Sequence, residues 1–200
     1  MNRKPTSERL CKMEHILAKR QDSLRVVVEE VKIVRNLSAI LRTCDSVGVQ
    51  FVHVVHSGTT PLILDKHTSA GAHKWISIRQ HATIEECIQE LKQDGFLLYA
   101  THLGKGAKSF HELDYTGRVA IIFGNEHHGV SKKALELSDN RLLVPQVGFS
   151  NSLNVGVAAA AVLYEAFKQR TMAGLYEGPQ LTDEQAETVL TEWQERISKG

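Results

Sequence analysis

Short apolar runs rich in β-branched residues recur along this chain, and most are separated by segments whose apolar residues repeat with helical period. Leu24–Val28, Phe51–Val55, Trp75–Ile78, Phe96–Ala100, Val119–Phe123 and Arg141–Val144 read as strands, the last stopped by Pro145. Between them, the segment opened by Asn36 places Leu37, Ile40, Leu41 and Cys44 on one helical face before Gly48. Thr83–Gln93, closed by Gly95, and Lys132–Leu137 read as further helices. Strands that are apolar throughout must be covered on both faces, and alternation with helices supplies the cover. The predicted fold is therefore α/β, a parallel sheet with helices on both faces.

The two ends differ from this pattern. Residues 7–19 carry Leu10, Met13, Ile16 and Leu17 at helical spacing, with Ser7 as the expected N-cap of a basic amphipathic helix. Ser152–Gln169 reads as a long helix with a small-residue stretch, GVAAAAV, suited to close packing. After GLYEGP, Thr182–Ser198 reads as an acidic helix packed through Val189, Leu190 and Trp193. The expected organisation is an N-terminal basic extension (1–23), a main domain (24–172) and a C-terminal helical extension (173–200). The formal net charge of +1 hides an asymmetry, with ten Lys/Arg against five Asp/Glu in residues 1–42 and two against six in residues 175–200. Such a basic front end suits a phosphate backbone, although a solvated helix surface reads the same way. No apolar run spans a bilayer and the start lacks a secretory segment, so a cytoplasmic setting with no membrane partner is expected. Cys11, Cys44 and Cys87, widely spaced, read as reduced thiols.

Several chemistries lose support from what is missing. Gly124 and Gly129 have P-loop spacing, but Val130 stands where the lysine is needed; Gly104 and Gly106 lack the third glycine of a dinucleotide fingerprint. The ten histidines form no H-E-x-x-H pair and no Cys/His quartet, so no structural metal is expected. No G-x-S-x-G elbow presents a serine nucleophile. What remains is polarity at strand ends: Asn36 with Arg42, Asn125 with Glu126, and Ser152 with Asn154. In parallel sheets ligands gather beyond the carboxyl ends of strands. Helix capping is the ordinary alternative for Asn36, Ser152 and Asn154.

These residues fall in three long segments, NLSAILRTCDSVGV (36–49), IIFGNEHHGVS (121–131) and LVPQVGFSNSLNVGVAAAAVLYE (143–165). In kind and order they resemble the motifs of the SpoU/TrmH family of SPOUT RNA 2′-O-ribose methyltransferases, from about residue 24 to 170. The preceding basic helix is similar to that of the TrmH branch, which methylates the ribose of guanosine 18 in tRNA. The resemblance implies a C-terminal deep trefoil knot, one of the exceptions to the rule against knots. It also implies S-adenosylmethionine as cofactor, held by the loops Thr101–Gly104, Gly124–Gly129 and Val144–Leu153, with Thr101, Leu103, Gly124, Val144 and Leu153 as cofactor-binding positions. A homodimer with the long helix at its interface follows from the same resemblance.

Carried over by position, Arg42 is the catalytic arginine, and Asn36, Glu126, Ser152 and Asn154 complete the catalytic group. A guanidinium with pKa above about 12 is a poor base, so a clamp on phosphate and on the developing alkoxide suits Arg42 better. Gly156 departs from the family's serine, and His127 and His128 fill variable positions. RNA contacts are expected from Arg9, Lys12, Lys19, Arg20, Lys168 and Arg170. The leading substrate is tRNA, because no separate N-terminal substrate-binding domain fits before Leu24. Methylation of ribosomal RNA, or a catalytically silent knotted RNA-binding protein, are the alternatives.

Overall fold

The computed structural model describes residues 6–58 and 71–198; Arg3 and Lys4 of the basic front end lie outside them. Among the described residues seven strands form one sheet: β1 (Leu24–Glu29), β2 (Phe51–Val55), β3 (Ser77–His81), β4 (Leu97–Thr101), β5 (Lys108–Ser109), β6 (Val119–Phe123) and β7 (Asn140–Leu143). Their order is β3-β2-β1-β6-β4-β7-β5, and every pairing is parallel. Strand β1, an inner strand between β2 and β6, shows why both faces are apolar. Val26 pairs in register with Val52 on one side and Ile121 on the other. Leu24, Val26 and Val28 enter one buried cluster, whereas Val27 points into the other.

Helices α2 (Val34–Ser46) and α5 (Val155–Met172) cover the first face, and α3 (Ile84–Gln93) and α4 (Lys132–Leu137) the second. Among the described residues no helix is long and apolar enough to cross a membrane.

Four boundaries differ from expectation, each for a local reason. Thr6, not Ser7, caps α1 (Ser7–Leu17), its hydroxyl accepting from the Arg9 N–H. The α2 helix begins at Val34, so Asn36 sits inside its first turn and is not a cap. β3 starts at Ser77 because Trp75 is used elsewhere, edge-on against Trp193 at 5.6 Å between ring centres. The α5 helix starts at Val155, because Asn154 caps it by accepting from the Gly156 N–H at 2.9 Å. The two-residue strand β5 has no apolar run to announce it.

The two terminal helices meet each other. Met13 of α1 packs with Leu181, and with Val189 and Trp193 of α6 (Asp183–Ser198), in a small separate core that also takes Phe51 and Trp75. Phe51 opens β2 and Trp75 precedes β3, so this layer lies by the amino ends of those strands.

Candidate active site

The carboxyl ends of β4, β6 and β7 open into a cleft of about 790 Å³. Three chain segments wall it, 101–104 after β4, 123–130 around the turn after β6, and 142–155 between β7 and α5. All five positions expected to hold cofactor, Thr101, Leu103, Gly124, Val144 and Leu153, line this cleft, as do Asn36, Glu126, Ser152 and Asn154. The cleft thus lies where a parallel sheet presents ligands.

The turn after β6 has a shape that only glycine permits at two points. A Cβ on Gly124 would lie 2.2 Å from the carbonyl carbon of Gly129 and 2.2 Å from the Val130 nitrogen, so the two arms of the turn touch backbone to backbone. Gly129 has φ +68°, in the left-handed region. Asn125 closes the turn: its backbone exchanges hydrogen bonds with Gly129, and its Oδ1 accepts from the His127 and His128 N–H groups at 2.9 and 3.2 Å. Its amide also donates to the Glu30 carbonyl at 2.8 Å, tying the turn to the end of β1.

This turn aims Glu126 at the start of α2. The Asn36 amide donates to Glu126 Oε1 at 2.8 Å and the Ile33 N–H donates to the same oxygen at 3.2 Å. Asn36 in turn accepts from the Asn154 amide at 2.9 Å, and Asn154 Oδ1 caps α5. One continuous set of hydrogen bonds therefore joins three segments that are far apart in sequence. Burial pushes the Glu126 carboxyl up, but donation from Asn36 and from backbone N–H groups of Glu126, Ile33 and Lys32 outweighs it, leaving the pKa below the ordinary value. Glu126 is thus a carboxylate at neutral pH and an acceptor only. Its Oε1 holds the Asn36 amide and the Ile33 N–H.

Arg42 is not part of this set. It lies six residues beyond Asn36 on α2, about 120° around the helix axis, on an exposed surface outside the cleft lining. Its guanidinium has no ion pair or hydrogen bond among the described residues. Alongside, α5 packs on α2 closely enough that a Cβ on Gly156 would stand 3.0 Å from the Ala39 Cβ. The outer stripe of α5 is apolar and exposed, with Val157 and Tyr164 each 53% accessible.

Two of the expected RNA contacts are corrected by burial. Arg20 is 1% exposed and paired with Asp45 at 2.5 Å, with its guanidinium 5.2 Å above the Trp193 ring. Arg170 is fully buried, donating to Gln21 Oε1 at 2.9 Å, to the Tyr115 carbonyl at 2.7 Å, to the Gly117 carbonyl and to the Ser23 hydroxyl. Both hold the terminal segments to the core and offer nothing to a phosphate. Arg9, Lys12, Lys19 and Lys168 are exposed, although the Lys19 ammonium donates to the Tyr176 carbonyl at 2.7 Å. Lys168 lies 3.4 Å from Glu165. Sequence reasoning missed the Ile33 N–H and the cleft-lining His102 and Lys132. A backbone donor leaves no mark in side-chain pattern, and the two side chains look like any surface residue.

The profile of the SpoU rRNA Methylase family matches residues 23–164. The chain belongs to that family. A relative, the tRNA (guanosine(18)-2′-O)-methyltransferase of Thermus thermophilus, is 45% identical over 192 residues, covering 96% of this chain and 98% of its own. Among solved structures, the TrmH/SpoU tRNA modifying enzyme of A. aeolicus superposes with a TM-score of 0.90 at 36% identity, over 95% of this chain and 96% of that one. An AdoMet-bound rRNA methyltransferase from Sinorhizobium meliloti matches with a TM-score of 0.67 at 27% identity, over 77% of this chain and 59% of that one.

Proposed function

We propose that the protein is an S-adenosylmethionine-dependent tRNA (guanosine(18)-2′-O-)-methyltransferase. The observation that carries this reading is the hydrogen-bonded set Glu126–Asn36–Asn154 at a carboxyl-end cleft, in a chain that matches a guanosine-18 enzyme along nearly its whole length. The main domain spans residues 24–172, with the SPOUT knot formed by its C-terminal segments, and is flanked by extensions at 1–23 and 173–200.

The cleft suits the cofactor by its chemistry. Its walls mix apolar side chains, Leu103, Leu142, Val144 and Leu153 among them, with neutral polar groups such as Thr101, Asn151 and Ser152; Glu126 is the one carboxylate among the described lining residues, and it is already engaged. Such a lining accepts a nucleoside and a thioether-like chain without an opposing charge fingerprint. When bound, S-adenosylmethionine supplies an electrophilic methyl group. The chain's own work is alignment: Thr101, Leu103, Gly124, Val144 and Leu153 shape the cofactor's seat, and Ser152 lines the same space.

Asn36, Glu126 and Asn154 act as positioning residues for the loop that carries Ser152. Arg42 is the catalytic cation, gripping an RNA phosphate and offsetting charge as the 2′-hydroxyl loses its proton to phosphate oxygen or solvent. Because Arg42 lies outside its own chain's cleft, it reaches the reaction from a second protomer docked on the exposed stripe of α5. Burial of Val157 and Tyr164 drives that homodimer. tRNA contacts come from Arg9, Lys12, Lys19 and Lys168. Free thiols at Cys11, Cys44 and Cys87 fit a cytoplasmic setting.

The test is incubation with methyl-labelled S-adenosylmethionine and separate pools of tRNA and ribosomal RNA. Label in tRNA as a 2′-O-methylguanosine is expected. Label confined to ribosomal RNA would overturn the substrate assignment, and no label in either would leave only a binding protein.

A further inference from the structure

The face of the sheet under α3 holds a polar cluster that methyl transfer does not use. His53 of β2 and His81 of β3 are 3% and 5% exposed, and Cys87 of α3 is fully buried. The two imidazoles lie 2.9 Å apart, Nδ1 of His53 to Nε2 of His81. His53 Nε2 is buried and has no hydrogen-bond partner among the described residues. Around them the packing is aliphatic, with Val55, Ile84 and Ile88 in the same cluster. An orphaned ring nitrogen inside such a layer is costly and calls for a partner.

We propose that His53, His81 and Cys87 form a binding site for one soft divalent cation of the zinc type. Each residue offers one donor atom, and the three donors lie within 4.8 Å of one another. Tetrahedral zinc with bonds of about 2.0–2.3 Å sets its donors roughly 3.3–3.6 Å apart, so side-chain movement of about 1 Å, with the ion replacing the His53–His81 hydrogen bond, forms the site. Two imidazoles and one thiolate select zinc-like ions over magnesium or calcium, and three protein donors leave a fourth position for solvent.

The surroundings suit the required protonation states. Burial lowers the His53 pKa to about 3, aided by the Arg25 and Arg79 charges and by His81, so its ring is neutral and able to ligate. Burial pushes the Cys87 thiol up to about 12, so the thiolate forms only as the cation arrives and one proton leaves per ion bound. The charges facing the cluster are Arg25 and Glu29 from β1, Arg79 from β3, and Glu86 and Glu90 from α3. Glu90 is itself paired with Arg79 at 2.7 Å. Three carboxylates against two guanidiniums leave room for a cation.

The site would clamp α3 to the β2–β3 edge, at the far side of the sheet from the cleft strands β4 and β7. Sequence motifs gave no hint of it, since His53 and His81 are 28 residues apart and only the sheet brings them together.

The experiment uses the full chain, stripped with chelator and titrated with Co²⁺. One equivalent per chain, with a thiolate-to-cobalt charge-transfer band that Zn²⁺ displaces, is the expected result. The Cys11→Ser variant should retain the band, Cys87→Ser should lose it, and His81→Asn should weaken binding at least about tenfold. Absence of the band in the unmodified protein would overturn the proposal without reference to any variant. So would loss of the band in Cys11→Ser, or its survival in Cys87→Ser.

Discussion

Replacing Asn36 by alanine removes the middle of the hydrogen-bonded set that joins α2, the turn after β6 and the start of α5. Two bonds disappear, the 2.8 Å donation to Glu126 and the 2.9 Å acceptance from Asn154. A hydrogen bond to a charged group contributes about 1.5–3 kcal/mol and a neutral one about 1 kcal/mol. Glu126 is half-buried and keeps the Ile33 N–H, so water recovers part of this. The expected loss is about 2 kcal/mol at neutral pH, read by urea unfolding followed by far-UV circular dichroism. The pH dependence has a definite sign. The folded pKa of Glu126 lies below its ordinary value, so its contribution is full above the unfolded carboxylate pKa and is lost as pH falls through the folded one. The gap between the parent and Asn36→Ala should therefore narrow in acid, down to the share of the Asn154 bond. A neutral-pH gap under about 0.5 kcal/mol, or one that does not change on acidification, would show that Asn36 does not bridge these segments through a charged Glu126.

Three other outcomes follow from the same geometry. Gly124→Ala forces a Cβ against the Gly129 and Val130 backbone, and calorimetry should show S-adenosylmethionine binding reduced by at least about tenfold; wild-type affinity would mean that the turn yields cheaply. Arg170→Met strands the Tyr115 and Gly117 carbonyls, and thermal or urea unfolding should show about 3 kcal/mol of lost stability; a near-neutral change would put Arg170 outside the core network. Arg9→Glu with Lys12→Glu should weaken tRNA binding and flatten its log-log salt dependence by about one unit for each phosphate no longer neutralised, with cofactor affinity unchanged; an unaltered salt slope would remove α1 from the RNA surface.

The strands were legible because a fully covered parallel strand must be apolar at consecutive positions, as Val119–Phe123 is. The cleft was legible through Asn36, Glu126 and Asn154, whose types are out of place at apolar strand ends. Their connection was not. Asn36 near a helix start reads as a cap, and only the fold supplies Glu126 from 90 residues away. Arg20 and Arg170 failed for the same reason. A basic residue in a polar stretch reads as surface, while the partners that permit burial, Asp45 and the carbonyls of Tyr115 and Gly117, are set by tertiary packing. Arg42 was legible as a type and a motif position, but its place on the outer face of α2 was not.

Ribose methylation of a single tRNA nucleotide can be examined through the chemistry of the substrate itself. Two transcripts of one tRNA, identical except that the second carries 2′-deoxyguanosine at position 18, are incubated with methyl-labelled S-adenosylmethionine and digested to nucleosides. Label should appear in the first as 2′-O-methylguanosine and be absent from the second. Equal labelling of both would contradict ribose methylation at guanosine 18, because no ribose hydroxyl at that position would then be the acceptor.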